Sequence, residues 1–333
     1  MACLSPPINN KPKCKLNCIP TRMVRKIKKA MYRRKVIKAG RTIEVEETYP
    51  TQFGDNLTRK RHDIDSDGTP AAMQMYNEEV AIRKLTRILN ENYVPDDYWL
   101  TFHYEKHNRP DSYDKANKVL SSFIPKLRKL YQNEGIELKY VKCTAFGERG
   151  GVHHHLVIPQ GVPQKAIRDL WKEHIKATIK ARPPDFTSLY STGEYSAIAA
   201  YIIKQKRCIE GGNERYIKKW VASRNLKKPE EGKIQDIEKI KWDEPPTAYN
   251  GYYIDTDSIR AGCNPVTGRP YLFYRMVKLP PNFVCYNDEG KRLTGKEAVK
   301  WYRNNNREYI KQNWLELNPE GEVIFKEGIR QNE

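Results

Sequence analysis

Three features of the sequence predict an α+β fold with a mostly antiparallel sheet and flanking helices. Between about residues 96 and 210, short runs of strand formers alternate with stretches whose apolar residues recur at three and four. Two of the strand-like runs, 138–146 and 152–158, are separated only by Gly147-Glu148-Arg149-Gly150-Gly151, a turn that folds them into a hairpin. The elements follow one another as strand, helix, hairpin, helix, strand, helix, an order that suits segregated layers around an antiparallel sheet.

Taken from the N-terminus, residues 1–45 read as a basic arm. Lys and Arg occur thirteen times between Lys11 and Arg41, and the first acid is Glu44. Such a run is either a solvated charge tract or an arm that lies along phosphates. Within it, Arg25, Lys26, Arg33 and Arg34 are candidate phosphate contacts. Cys3, Cys14 and Cys18 include a C-x3-C spacing that zinc tolerates, without an obvious fourth ligand. Residues 63–68 begin like a calcium loop, but its twelfth position is Gln74 where a bidentate Glu is needed, so an exposed turn is expected. Thr69-Pro70 then opens a helix to about Asn90. Residues 1–95 are thus expected to form an arm and a helix.

In residues 96–210, the run Tyr98-Trp-Leu-Thr-Phe-His-Tyr104 is strand-like. Ala116, Val119, Leu120, Phe123, Ile124, Leu127, Leu130 and Tyr131 give a helix one apolar face. The hairpin comes next. Ile167, Leu170, Trp171 and Ile175 mark a further helix, 186–190 a short strand, and 195–207 a helix introduced by Thr192-Gly193-Glu194. Residues 211–333, expected to be a C-terminal accessory region in contact with DNA, are less regular. They hold Lys227-Lys228, many aromatics and a closing helix over about 297–315.

Composition narrows the partners. The net charge is +19, with 60 basic against 41 acidic residues, which attracts polyanions, nucleic acid first among them. No run approaches the ~20 apolar residues of a membrane span, and no secretory signal is visible. Seven cysteines, an odd and scattered set, suit a reducing cytoplasm. A cytoplasmic, nucleoid-associated protein without a membrane partner is expected.

The chemistry concentrates in His153-His154-His155. On a strand, His153 and His155 share a face and His154 takes the other. Two imidazoles spaced by two strand rises can converge on one ion. Glu148, across the tight turn, falls near His153 and would add a carboxylate. A surface histidine patch is the plain alternative. The second constellation is Tyr201-Ile202-Ile203-Lys204, where Tyr201 and Lys204 lie three apart on a helix and project together. A phenol is a weak nucleophile at neutral pH, and a neighbouring metal and ammonium would activate the reaction. Tyr195, six positions earlier, should face away, leaving one nucleophilic tyrosine.

Together these motifs resemble the HUH replication initiators, the rolling-circle Rep proteins of small phages, plasmids and mobile elements. In that family an apolar strand carries His-hydrophobic-His and a later helix carries a nucleophilic Tyr with a Lys. Here His154 stands where a hydrophobic residue is usual. The family's first strand, ending Leu-Thr-hydrophobic-Tyr, is matched by Leu100-Thr101-Phe102-His103-Tyr104 with one extra residue. The resemblance covers about residues 96–210, and 223–229 is similar to the segment after the catalytic helix in some members. It implies a ferredoxin- or RRM-related palm, with His153, His155 and Glu148 as metal ligands, Tyr201 and Lys204 as catalytic residues, and Mn²⁺ or Mg²⁺ as cofactor in preference to zinc. It further implies nicking of single-stranded or extruded origin DNA, a 5′-phosphotyrosine, and a free 3′-OH for rolling-circle replication. Arg149 and Lys227-Lys228 join the candidate DNA contacts. Gly290 to Lys296 matches G-x-x-x-x-G-K, but Glu297 follows where a P-loop needs Ser or Thr. A fused helicase is therefore not expected, and a host helicase and polymerase would be partners. A relaxase, a single-strand transposase, a hydrolytic metallonuclease, or a binding protein with structural zinc would use the same motifs. The sequence leaves the oligomeric state open.

Overall fold

A computed structural model describes residues 32–49, 71–147, 151–205, 218–241, 244–263 and 270–312, with short pieces at 314, 316–317 and 323–324. In chain order the elements are β1 (Tyr32–Ala39), β2 (Thr42–Thr48), α1 (Ala71–Asn92), β3 (Tyr98–Phe102), α2 (Tyr113–Asn133), β4 (Val141–Phe146), β5 (Val152–Ile158) and α3 (Gln164–His174). They continue with β6 (Asp185–Ser188), α4 (Ser196–Lys204), β7 (Val221–Ala222), β8 (Glu230–Glu231), β9 (Gln235–Ile237), β10 (Tyr252–Cys263), β11 (Pro270–Lys278), β12 (Val284–Tyr286), β13 (Arg292–Thr294), α5 (Gly295–Gln312), β14 (Glu316–Leu317) and β15 (Val323–Ile324). The fold is α+β with antiparallel sheets, as the sequence predicts. No helix among the described residues is long and apolar enough to cross a membrane.

The chain forms two compact units. One comprises residues 38–42 and 78–230; the other comprises the remainder. The 95/96 and 210/211 boundaries expected from sequence therefore both fall inside one unit. The reason is packing. Helix α1 covers one face of the central sheet, and residues 220–226 extend that sheet and its core.

In the unit of 38–42 and 78–230, a five-stranded sheet runs β6-β3-β5-β4-β7. The hairpin β4–β5 pairs antiparallel as expected, with Ala145 opposite His153 and Cys143 opposite His155. The period-2 alternation splits the sheet into two cores. On one face, Leu100, Phe102, Leu156 and Ile158 pack with Leu120, Phe123, Leu127 and Tyr131 of α2 and with Ile167 and Trp171 of α3. On the other, Val141, Cys143, Val157 and Trp99 pack with Leu85 and Leu89 of α1 and with Ile198, Ala199, Ile202 and Ile203 of α4. Helix α2 begins where Ser112 Oγ accepts from the Lys115 amide, an N-cap that satisfies one of the free donors of the first turn.

Asn90 near the end of α1 fixes where α4 starts. Its side-chain oxygen accepts from the Tyr195 amide at 3.0 Å, and its amide nitrogen donates to Thr42 Oγ1 at 3.0 Å. The β1–β2 turn comes in against it at Gly40 (φ +54), where a Cβ would stand 1.8 Å from the Asn90 carbonyl oxygen, so only glycine is accommodated.

The other unit holds the sheet β10-β11-β2-β1-β8, with β9 also on β1. Its core includes Ile43, Val45, Ile254, Leu272, Met276 and Ile310. Arg275 donates through Nε and Nη2 to Glu44 Oε1 at 3.0 Å, a buried ion pair. The run resembling a P-loop forms a turn, strand β13 and the first turn of α5. The basic arm thus folds from residue 32 onward into a hairpin. Cys3, Cys14, Cys18 and the 63–68 run lie outside the described residues.

Candidate active site

Strand β5 delivers its three histidines to two environments. His154 points to the α2/α3 face, where it is wholly buried and both ring nitrogens are engaged: Thr144 Oγ1 lies 2.9 Å from Nδ1 and the Tyr104 hydroxyl 2.7 Å from Nε2. Burial holds it neutral, pushing its pKa well below the usual value, with Lys142 adding to the effect.

His155 points to the α1/α4 face and is 2% exposed. Thr101 Oγ1 of β3 lies 3.0 Å from Nδ1, and the Leu100 carbonyl also accepts from the ring. The proton therefore sits on Nδ1. Nε2 carries a lone pair, is buried, and has no hydrogen-bond partner. Desolvation and the neighbouring His153 bring the pKa of His155 down to about 3, so the ring is a neutral base at any physiological pH. Its ring lies 4.8 Å from that of His153. His153 places Nδ1 3.2 Å from the Gly151 carbonyl and hydrogen-bonds the Gln205 side chain. Burial lowers its pKa as well.

Helix α4 brings Tyr201 to the same face. Its ring centroid is 5.2 Å from that of His155, edge-on, and the side chain is 48% exposed. Trp99 stacks on His155 at 4.8 Å with an interplanar angle of 13°, and meets Tyr201 edge-on at 5.9 Å. The aromatic pair leaves His155 and Tyr201 little rotational freedom. Lys204 is exposed at the end of α4. Tyr195 precedes the helix and is fully buried, with its pKa raised by desolvation.

The structure thus brings together His153, His155 and Tyr201. Glu148 and Arg149, like Arg25 and Lys26, lie outside the described residues. Arg33 and Arg34 belong to the other unit, where Arg33 pairs with Asp236 and Arg34 with Glu47. Lys227 and Lys228 are exposed; the Lys227 amide donates to Asn92 Oδ1 at 2.7 Å, docking this segment on α1. Among the described residues no group of three His, Cys, Asp or Glu side chains forms a metal cluster. The donor set nonetheless suits a divalent cation: one buried imidazole nitrogen has its lone pair unused, and a second imidazole stands beside it.

Sequence reasoning assigned no role to Trp99, Thr101, His103, Asp185 or Gln205. His103 Nε2 lies 2.8 Å from Asp185 Oδ2, and the Trp171 indole nitrogen donates to the His103 carbonyl. The signal was present: Trp99, Thr101 and His103 occupy alternate positions of one strand-like run, so they share a face.

Residues 97–206 match the family model of the Replication-associated protein ORF2 family. The match covers less than half of the chain and spans β3 through α4, the elements that carry the site. It is consistent with a replication initiator, a class of protein that acts on DNA. No curated protein and no solved structure matches the chain.

Proposed function

We propose that this protein nicks single-stranded or extruded origin DNA by transesterification, with Tyr201 as nucleophile, and so starts rolling-circle replication. The observation that carries this reading is the half-exposed phenol of Tyr201 facing a buried His155 whose Nε2 lone pair has no partner. The replication-associated family match over the same residues supports it.

The Tyr201 oxygen forms a bond to the scissile phosphorus while the P–O3′ bond breaks. The phenolic proton leaves to solvent, the 3′ oxygen takes one up, and the DNA is left with a 5′-phosphotyrosine and a free 3′-OH. The phosphodiester energy is kept in the new ester, so no nucleotide hydrolysis is needed. Thr101 holds His155 in the tautomer that presents Nε2. Trp99 holds the His155 and Tyr201 rings in register. Lys204, one turn on, contributes positive charge as the phosphate becomes more anionic. His153, His155 and Glu148 would hold Mn²⁺ or Mg²⁺, which neutralises charge on the scissile phosphate.

The test is a denaturing gel of the protein with labelled single-stranded origin DNA and Mn²⁺, comparing wild type with Tyr201→Phe. A slow-migrating covalent species in wild type, absent in the variant, is the expected result. An adduct surviving in Tyr201→Phe moves the nucleophile elsewhere. Cleavage without an adduct means hydrolysis, and neither product means that the histidines serve another purpose.

A further inference from the structure

The segment between α3 and β6 carries a side chain that no core explains. Ile179 is 96% exposed, the most exposed large hydrophobic side chain among the described residues. It stands at the tip of a turn closed by the Ala181 amide donating to the Thr178 carbonyl at 3.2 Å. Turn tips favour Gly, Asn, Asp and Ser, so a β-branched aliphatic residue there is unexpected on local grounds.

The turn is also held firmly. The Thr178 amide donates to Glu105 Oε2 at 2.8 Å, and the Thr178 hydroxyl hydrogen-bonds the same carboxylate. Ala181 is buried, and Pro183-Pro184 stiffens the exit. At that exit Asp185 accepts from Arg182 and lies against His103, and it is the cross-strand partner of Thr101, whose hydroxyl holds His155. The tip is therefore built on the end of the sheet that carries the histidines.

Its surroundings are basic. Lys176, Lys180 and Arg182 are exposed on the turn itself. The Asn108 side chain donates to the Ile175 carbonyl and brings alongside the exposed Lys106 and Arg109, the latter lying over Gly151 just before β5. The local acids are Glu105, occupied by Thr178, Asp185, occupied by His103 and Arg182, and the exposed Glu173.

We infer that Ile179 is a wedge that enters the base stack where paired DNA gives way to the single strand, with the surrounding Lys and Arg on the flanking phosphates. This rests on the DNA-nicking reading above and adds a substrate feature to it: a stem beside the cleaved strand. An aliphatic tip has no ring to stack on a free base, as proteins that bind plain single strands use. Apolar wedges instead part neighbouring bases that are already stacked. Phosphate contacts from the cations fix its register.

The test uses Tyr201→Phe protein, so that no readout depends on phosphoryl transfer. The probes are a DNA hairpin with a single-stranded tail, carrying 2-aminopurine in the pair that closes the stem, and an unstructured oligonucleotide of equal length. The protein should raise 2-aminopurine fluorescence at the junction, and adding Ile179→Ser should weaken that unstacking by about tenfold in protein concentration. Affinity for the unstructured strand, read by anisotropy, should change by less than about twofold, because the cations remain. Equal unstacking with and without Ile179, or no unstacking by the parent protein, would overturn the wedge and assign the tip to another partner. Binding to neither DNA would overturn the nicking reading along with it.

Discussion

The two faces of strand β5 treat chemically identical residues in opposite ways. His154 and His155 are adjacent and both buried. On the α2/α3 face both nitrogens of His154 are hydrogen-bonded, so the ring closes a polar network in an apolar core. On the α1/α4 face one nitrogen of His155 is bonded and the other has nothing to bond. A buried polar atom without a partner costs about 1–3 kcal/mol. A fold tolerates that where the atom is reserved for something that arrives later, and Tyr201 is its neighbour there. Saturation of hydrogen bonds, and not burial, separates a structural histidine from a candidate ligand.

The sharpest way to break this comparison is to truncate each ring. His155→Ala should lower the rate of covalent adduct formation by at least ~10²-fold, on the scale of losing a charge-stabilising group. Its thermal midpoint should stay near that of wild type, because an unsatisfied atom is removed along with the ring. His154→Ala should do the reverse. It leaves the Tyr104 and Thr144 hydroxyls short of a partner and opens a cavity, at a cost of about 2–4 kcal/mol in urea unfolding. The folded fraction should still form adduct at a rate within about tenfold of wild type, the margin left for a slightly shifted β5. Comparable loss of activity in both variants, with comparable stability, would remove the distinction between the faces.

The distinction was partly legible from sequence. Strand alternation alone puts His153 and His155 on one face and His154 on the other, and helical spacing puts Tyr201 on a projecting face. What alternation cannot supply is register between distant strands. Thr101 meets His155 across 54 positions of chain, and Asp185 meets Thr101 across the next strand pair. Nothing local encodes either pairing, so no role for Trp99, Thr101 or Asp185 could be read from sequence. The same limit hid the β1–β2 hairpin inside the basic arm. Arg34, Lys35 and Arg33 find their acids at Glu47, Glu231 and Asp236, partners that a local charge count cannot see. It also hid β7, which joins the sheet edge through Ser223 and Tyr140 from beyond the expected domain boundary.

A milder variant sharpens the claim that Thr101 acts through His155. Thr101→Val keeps the shape and β propensity and removes the hydroxyl at Nδ1. Weakening of Mn²⁺ binding by about 10–100-fold is expected, the usual cost of losing an outer hydrogen bond to a metal-binding histidine. Isothermal titration with Mn²⁺ reads this directly, and Thr101→Ser should restore most of it. Unchanged Mn²⁺ affinity in Thr101→Val would show that the hydroxyl does not set the tautomer.

The smallest effect is expected on the opposite face, at Lys142. Its ammonium is buried beside His154 and bonded to Ser121 Oγ at 2.9 Å, and desolvation lowers its pKa from 10.5. A lysine with a depressed folded pKa is less favourable in the fold than in the unfolded chain wherever it is charged. Between the folded and unfolded values the unfolded chain binds more protons, so stability rises with pH across that window. Lys142→Met removes the penalty while filling the same space, and should be neutral or stabilising by about 1 kcal/mol at neutral pH. The gap between variant and wild type should close as the pH is raised toward 10.5, the unfolded value. Urea unfolding at several pH values reads both the sign and the slope. Adduct formation should be untouched, because Lys142 pairs with Leu156 on the face that holds the fold and not on the one that presents Tyr201. A large loss of adduct in Lys142→Met, with stability unchanged, would mean that the two faces are coupled through the sheet and do not divide the work between them.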